Sequence, residues 1–158
     1  MKTTDKYVFF LSGIYSQWFE AEMEIDGIVY NTCEQYMMYQ KALTFGDSMM
    51  AEKILETNDP AQQKGYGRLI KGFDKSVWDA KNFDIVLKGN IAKFSQHPNL
   101  GKKLVATGNR TLAEASPKDA IWGIGMHETN PGVEDESKWG TNLLGKVLMK
   151  TRDHLNSI

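Results

Sequence analysis

The sequence predicts a mainly helical α+β fold: a single compact domain over residues 1–158 in which a small N-terminal antiparallel β unit leads into a series of helices. Three observations predict it. Helix start signals are followed, in several stretches, by apolar residues at i, i+3, i+4 and i+7. Asp26-Gly27 stands between two short runs of strand character, the strongest short-range hairpin signal. Finally, 158 residues at 41% hydrophobic and 25% charged suit one core of ordinary composition, without repeats, low-complexity tracts or an internal linker.

In chain order, Tyr7 to Leu11 is a short, aromatic-rich apolar run ended by Ser12-Gly13, which predicts a buried strand. Ala21 to Ile25 alternates, Asp26-Gly27 turns the chain, and Ile28 to Tyr30 completes the hairpin. Thr32 and Gln35 have the capping-box spacing, so a helix starts there and runs to Phe45. A second helix spans Asp47 to Glu56 and stops at Asn58-Asp59-Pro60. Asp59-Pro60 in turn has the form of an N-cap and a first-turn proline, opening a short helix that Gly65 and Gly67 weaken. Asp74 caps the longest helix, with a face of Phe83, Val86, Leu87, Asn90, Ile91 and Phe94, and Pro98 ends it. A short helix from Leu100 to Val105 closes at Gly108-Asn109, and Arg110 to Ala115 is a candidate strand. Ser116 to Gly125 is a loop dense in unusual residue types. Met126 to Lys138 contains Pro131-Gly132 and the acidic run Glu134-Asp135-Glu136, lacks periodicity, and is expected to be a mobile surface loop. Trp139 to Asn142 leads into the last helix, buried along Leu144, Val147, Leu148 and Thr151.

Charge and cysteine content narrow the function classes. A formal net charge of −1 provides no general attraction to nucleic acid or to an anionic membrane, so binding either would need a local basic patch. Cys33 is the only cysteine, which rules out an internal disulfide and a Cys-based zinc site and fits a reducing compartment. No stretch approaches the ~20 apolar residues of a membrane span, and a cytoplasmic location is expected. His97, His127 and His154 are far apart and unaccompanied by a carboxylate cluster, so no metal site is expected. There is no Walker A sequence and no Gly-x-Ser-x-Gly, and Gly123-x-Gly125 lacks the third glycine and the βαβ context of a dinucleotide fold.

The Thr32 to Phe45 helix has unusual contents. Tyr36, Tyr39 and Leu43 cover one side, Met38, Ala42 and Phe45 the next, and Met37 and Cys33 much of the third, so burial nearly all round is expected. Glu34 and Lys41 are its only charged side chains, on nearly one meridian and about 10 Å apart along the axis. Taken alone, the pattern favours an ordinary arrangement, with Glu34 held by the helix dipole and Lys41 reaching solvent along its apolar stem. The other arrangement is a catalytic pair with room between for a ligand. Spacing leaves both open.

Three stretches stand out together: the Glu34/Lys41 helix, the loop Asp119-Ala120-Ile121-Trp122-Gly123-Ile124-Gly125, and Asn142 to Arg152. In that order and at these distances they resemble the NADAR family, the YbiA-like domains named for association with NAD and ADP-ribose. The resemblance covers nearly the whole chain, from Phe9-Phe10 and Trp18-Phe19 through Gly67-Arg68, Trp78 and Lys93-Phe94 to the two C-terminal stretches. It implies a small, mainly helical N-glycosidase, metal-independent and without a cofactor, that hydrolyses the bond between a nitrogen base and C1 of a phosphorylated ribose. Two substrate classes follow from it: intermediates of riboflavin biosynthesis, and ADP-ribosylated guanine in nucleic acid. A membrane and an obligate protein partner do not. By the same resemblance Lys41 matches the lysine proposed to form a Schiff base with C1 of the opened ribose, Glu34 the helix carboxylate, and Asp119 with Trp122 the aspartate and tryptophan loop.

The chemistry agrees with these residue types. Breaking a ribosyl C–N bond develops positive charge on the sugar and negative charge on the base, so the site needs an acid for the base and an anion or nucleophile near C1. Lysine serves only as the neutral amine; Met37, Met38 and Phe45 would desolvate it and lower its pKa, whereas a close Glu34 would raise it. Glu34 is therefore expected near the sugar hydroxyls or the leaving base. Asp119 is the other acid/base candidate, with loop capping as its ordinary role. Trp122 offers the base a stacking face, flanked by Gly123 and Gly125. Arg68 is the candidate phosphate holder, with Gly65 and Gly67 allowing close backbone approach. Asn142 is expected to cap the last helix and line the pocket, and Trp18, Trp78, Trp139 and Met149 to form core or pocket wall. Glu34, Lys41, Asp119 and Trp122 are expected at one concave site. The alternative from a different class is a module that binds ADP-ribose or a related nucleotide without turning it over; a purely structural adaptor would require Glu34 and Lys41 to be fully exposed.

Overall fold

The computed structural model describes residues 1–158, which divide into two compact units: Gln17–Gln96, and Met1–Ser16 together with His97–Ile158. The element order is β1 (Lys2–Thr3), β2 (Tyr7–Phe10), β3 (Met23–Ile25), β4 (Ile28–Tyr30), α1 (Cys33–Thr44), α2 (Ser48–Glu56), α3 (Pro60–Gly67), α4 (Lys75–Gln96), α5 (Pro98–Val105), β5 (Thr111–Glu114) and α6 (Leu143–Asn156), with a 3-10 turn at Glu136–Lys138. Helices dominate, and the class is α+β as predicted.

The Gln17–Gln96 unit is organised around α1, which packs on α2, α3 and α4. Thr32 is extended at φ −143° and accepts the Gln35 amide on its hydroxyl at 3.0 Å, so the helix starts where the sequence places it. The Gln35 side chain reaches one residue beyond a standard capping box: its Oε1 accepts the Asn31 amide at 2.7 Å. Its Nε2 donates to Ile54 O at 3.0 Å and Thr57 O at 3.1 Å, supplying donors to the end of α2. Gln63 on α3 accepts from the Thr32 hydroxyl at 2.7 Å and donates to Asn31 Oδ1 and Thr57 O, both at 2.8 Å. Thr32, Gln35 and Gln63 are all buried, and this network ties three helices together through side chains that satisfy one another. Burial of α1 is deep throughout its first half and, in its second, at Ala42. Leu43 is 50% exposed, and Lys41 and Phe45 are half-buried, in place of the all-round burial expected.

The β3–β4 hairpin forms as predicted, pairing Met23 with Tyr30 and Ile25 with Ile28. Asp26 and Gly27 both have positive φ, 52° and 84°, as a primed two-residue turn demands. Met23, Ile25 and Tyr30 join Cys33 and Tyr36 in one apolar cluster. On α4 the buried face is Asn82, Val86, Gly89, Asn90, Lys93 and Phe94, while Phe83, Leu87 and Ile91 are only half-buried. The rotation has a visible cause: Tyr36 packs on Gly89, where an added Cβ would meet its ring at 3.0 Å. Pro98 follows the end of α4 and itself opens α5 at the first helical turn.

In the other unit β2 pairs antiparallel with β1 and parallel with β5, in register Tyr7 to Thr111 and Phe10 to Glu114. The antiparallel hairpin expected near the N-terminus is present as β3–β4, and β2 belongs to a separate three-stranded sheet. Tyr7, Phe9, Ala113, Ala115, Ile124 and Val133 form the core cluster, and α6 packs on β5 with Leu144, Val147, Leu148 and Thr151 buried as predicted. The segment expected to be a mobile loop is anchored instead. Val133 is 2% exposed, the Tyr7 hydroxyl donates to Glu136 Oε2 at 2.7 Å, and Trp139 Nε1 donates to Val133 O at 2.7 Å. Trp139 also packs edge-on against Tyr7 and Phe9, with centroids 5.6 and 6.0 Å apart.

Candidate functional site

Lys41 leaves α1 half-buried and donates from Nζ to the carbonyl of Gly67, at the end of α3, over 3.0 Å. The same Nζ lies 4.7 Å from the centroid of the Phe73 ring, and Phe73 meets Phe45 edge-on at 5.3 Å. Burial holds the ammonium below the ordinary lysine range; Glu34 opposes that shift and Arg68 adds to it. Glu34 acts on Lys41 through its charge, while Lys41 Nζ donates its hydrogen bond to the Gly67 carbonyl. Glu34 is only 7% exposed, and its amide donates to Gln17 O at 3.0 Å. The full exposure that a structural adaptor requires is absent at both residues. Cys33, beside Glu34, is fully buried and its thiol is pushed up to about 11 by burial, which makes it an unreactive neighbour.

Around this pair Arg68 is exposed, and Trp18, 44% exposed, has Lys64 Nζ at 6.0 Å from its ring, so it is an open aromatic face and not core. Trp78 is core. Gly67 is where the backbone comes close: an added Cβ would lie 2.1 Å from Met38 Sδ, whereas nothing lies within 4 Å of the same position at Gly65. Sequence reasoning missed the Gly67 carbonyl and Phe73 as the groups that receive Lys41. Phe73 sits in a turn after Gly72, whose φ is +78°, and no periodic pattern marks such a position.

Asp119, Trp122, Gly123, Gly125 and Asn142 come together in the other unit. Asp119 Oδ1 accepts the amides of Ile121 at 2.9 Å and Trp122 at 2.8 Å, the loop-capping role foreseen for it. The loop is then zipped by its backbone onto the start of α6: Asn142, Leu143 and Leu144 donate their amides to Gly123 O at 3.1 Å, Ile121 O at 3.0 Å and Trp122 O at 3.0 Å. Those carbonyls satisfy amides that a helix N-terminus leaves without intrahelical partners. Gly123 is required, because a Cβ there would come within 2.7 Å of Glu114 O and 2.8 Å of Asp119 O; Gly125 has φ +77°. Asn142 does not cap α6 with its side chain as expected. It sits in the left-handed region at φ 53°, and its amide pairs with the edge of β5, accepting from Glu114 N at 3.2 Å and donating to Leu112 O at 3.0 Å. Trp139 is partly buried against the core cluster, and Met149 is half-buried on α6.

A helical unit built around a lysine- and glutamate-bearing α1, with a glycine-flanked tryptophan loop capping the last helix, defines a small α+β domain of the YbiA-like class. The NADAR domain model matches residues 1–156, across both units, and the chain belongs to the NADAR family. It is 46% identical to N-glycosidase R617 of Acanthamoeba polyphaga mimivirus, over 95% of this chain and 96% of that protein. It is 30% identical to N-glycosidase YbiA of Escherichia coli (strain K12), over 97% of this chain and 84% of that one. The NMR structure of E. coli YbiA matches with a TM-score of 0.80 at 28% identity, covering 99% of this chain and 88% of the other. Riboflavin biosynthesis protein VVA0006 of Vibrio vulnificus is 29% identical over 90% of this chain and 35% of its own length. No helix is long and apolar enough to cross a membrane.

Proposed function

We propose that the protein is an N-glycosidase that hydrolyses the bond between a nitrogen base and C1 of a phosphorylated ribose, either in early riboflavin-biosynthesis intermediates or in ADP-ribosylated guanine of nucleic acid. The names of the relatives support the reaction class. The observation that carries it in this chain is Lys41, a half-buried amine whose charged form burial disfavours, two helical turns from a buried carboxylate. The neutral Lys41 Nζ attacks C1, and the C1–N bond breaks as Glu34, on the same helix, protonates the departing base. Opening of the ribose ring leaves an imine between Nζ and C1, and water then adds to C1, releasing the sugar phosphate as its aldehyde and restoring the amine. One water is consumed, and the sugar phosphate is released from the base, which is set free from a riboflavin intermediate and stays in the strand of a nucleic acid. Arg68 holds phosphate, and Trp18 offers a stacking face to base or nucleotide.

The test is to incubate the protein with early riboflavin intermediates and, separately, with an oligonucleotide carrying ADP-ribosylated guanine, following products by mass spectrometry. Free base with ribose phosphate is expected from the riboflavin intermediates, and unmodified oligonucleotide with ADP-ribose from the modified strand. Saturable binding of ADP-ribose with turnover of neither substrate would instead establish a non-catalytic nucleotide-binding module.

A further inference from the structure

We infer that Phe73 is a positioning residue for Lys41: its ring, together with the Gly67 carbonyl, forms a cradle that fixes where the amine rests and favours its protonated state. The significance of this for catalysis rests on the Lys41 mechanism proposed above; the cradle itself does not.

Three separate segments meet at one atom. Lys41 Nζ projects from α1, Gly67 O closes α3 at 3.0 Å, and Phe73 stands in the turn before α4 with its centroid at 4.7 Å. An ammonium within about 6 Å of an aromatic centroid is attracted by the negative face of the ring. Phe73 is 45% exposed, so burial of its own surface does not account for its place; its ring contacts are Phe45 and the Lys41 head. The carbonyl and ring stabilise the cation, whereas the burial that surrounds the stem works against it. The balance decides how much neutral amine exists at a given pH. Among charged groups, Glu34 on α1 and Arg68 after α3 act on Lys41 in opposite senses. On the neighbouring elements, Lys53 of α2 lies over Tyr66, the capping Asp47 binds the amides of Met50 and Lys71, Lys64 of α3 lies over Trp18, and on α4 Lys75 pairs with Asp79, Lys88 pairs with Asp26 and Lys93 acts on Cys33; Glu52 and Glu56 on α2 and Lys81 and Asp84 on α4 complete the charged set of these helices.

Phe73→Leu separates the two influences, because leucine keeps apolar cover over the amine but has no π face; Phe73→Tyr keeps both. The lysines are dimethylated with a 13C-labelled reagent, the Lys41 signal is assigned by its loss in Lys41→Arg, and its pKa is read by NMR titration. Phe73→Leu is expected to lower that pKa by about half a unit, the size of a partly exposed cation–π contact, and Phe73→Tyr to leave it in place. An unchanged or raised pKa in Phe73→Leu, or an equal drop in Phe73→Tyr, overturns the cradle. The acid limb of kcat/KM in unmodified enzyme then tests the reading beneath it. A limb that follows the NMR pKa downward supports both, and an unmoved limb beside a lowered pKa keeps the cradle and removes Lys41 as the titrating nucleophile.

Discussion

At Lys41 two demands conflict: the amine must be neutral to attack carbon, yet Gly67 O and Phe73 both favour the ammonium, and burial tips the pKa below the ordinary lysine value. Because the folded-state pKa is depressed, the reactive fraction grows as pH rises toward that pKa, so kcat/KM should rise along an acid limb that ends below the usual lysine range. A guanidinium stays protonated to a pKa above ~12 and cannot take this role. Lys41→Arg should therefore be nearly as inactive as Lys41→Ala, and borohydride added during turnover should leave a sugar-phosphate or ADP-ribose adduct on the peptide holding Lys41. An active Lys41→Arg with no trapped adduct would replace the imine by direct attack of water. Resemblance to the family, and not helix spacing, singles out the lysine and its glutamate as candidates. Phe73 carries no such signal, because it stands between a turn and a helix, outside any periodic pattern, and the side chain of Asn142 serves the edge of β5 in place of the expected cap.

Among the elements, local patterns transferred best. The α1 start at Thr32, the Asp26-Gly27 turn and the apolar stripe of α6 are each written within a few residues of sequence. The segment 126–138 failed because its anchors lie elsewhere in the chain. Polar composition hides a single apolar residue, Val133, that enters the core, and the hydroxyl of Tyr7 holds Glu136 from more than a hundred residues away. Anchoring of this kind makes the segment part of the stability of its unit. Val133→Ala should destabilise the protein by about 2 kcal/mol, through lost burial and the space left behind. Urea denaturation measures it, and a loss within ~0.5 kcal/mol of zero, typical of surface sites, would mean that the segment detaches freely in solution.

Over the whole molecule, what escaped the sequence was long-range pairing. Parallel registry of Tyr7 with Thr111 leaves no local trace, since parallel strands are joined by crossovers of arbitrary length. Charge, by contrast, is read directly: 19 basic against 20 acidic side chains leave a net −1, and no long-range field draws in a polyanion. Recognition of phosphate must then be local, and the proposed holder is Arg68. A ligand held through one or two phosphates displaces few counterions, whereas a strand gripped along its backbone releases about 0.7 per neutralised phosphate. For the riboflavin intermediate and for the ADP-ribosylated oligonucleotide alike, log kcat/KM against log salt should fall only shallowly, with a slope no steeper than about −1.5, because only the sugar-linked phosphates are engaged. The measurement is kcat/KM at four or five salt concentrations for each substrate, at fixed pH. A slope steeper than about −3 on the oligonucleotide alone would mean that four or more phosphates are held, and that a basic surface concealed by the overall charge balance selects the nucleic-acid substrate.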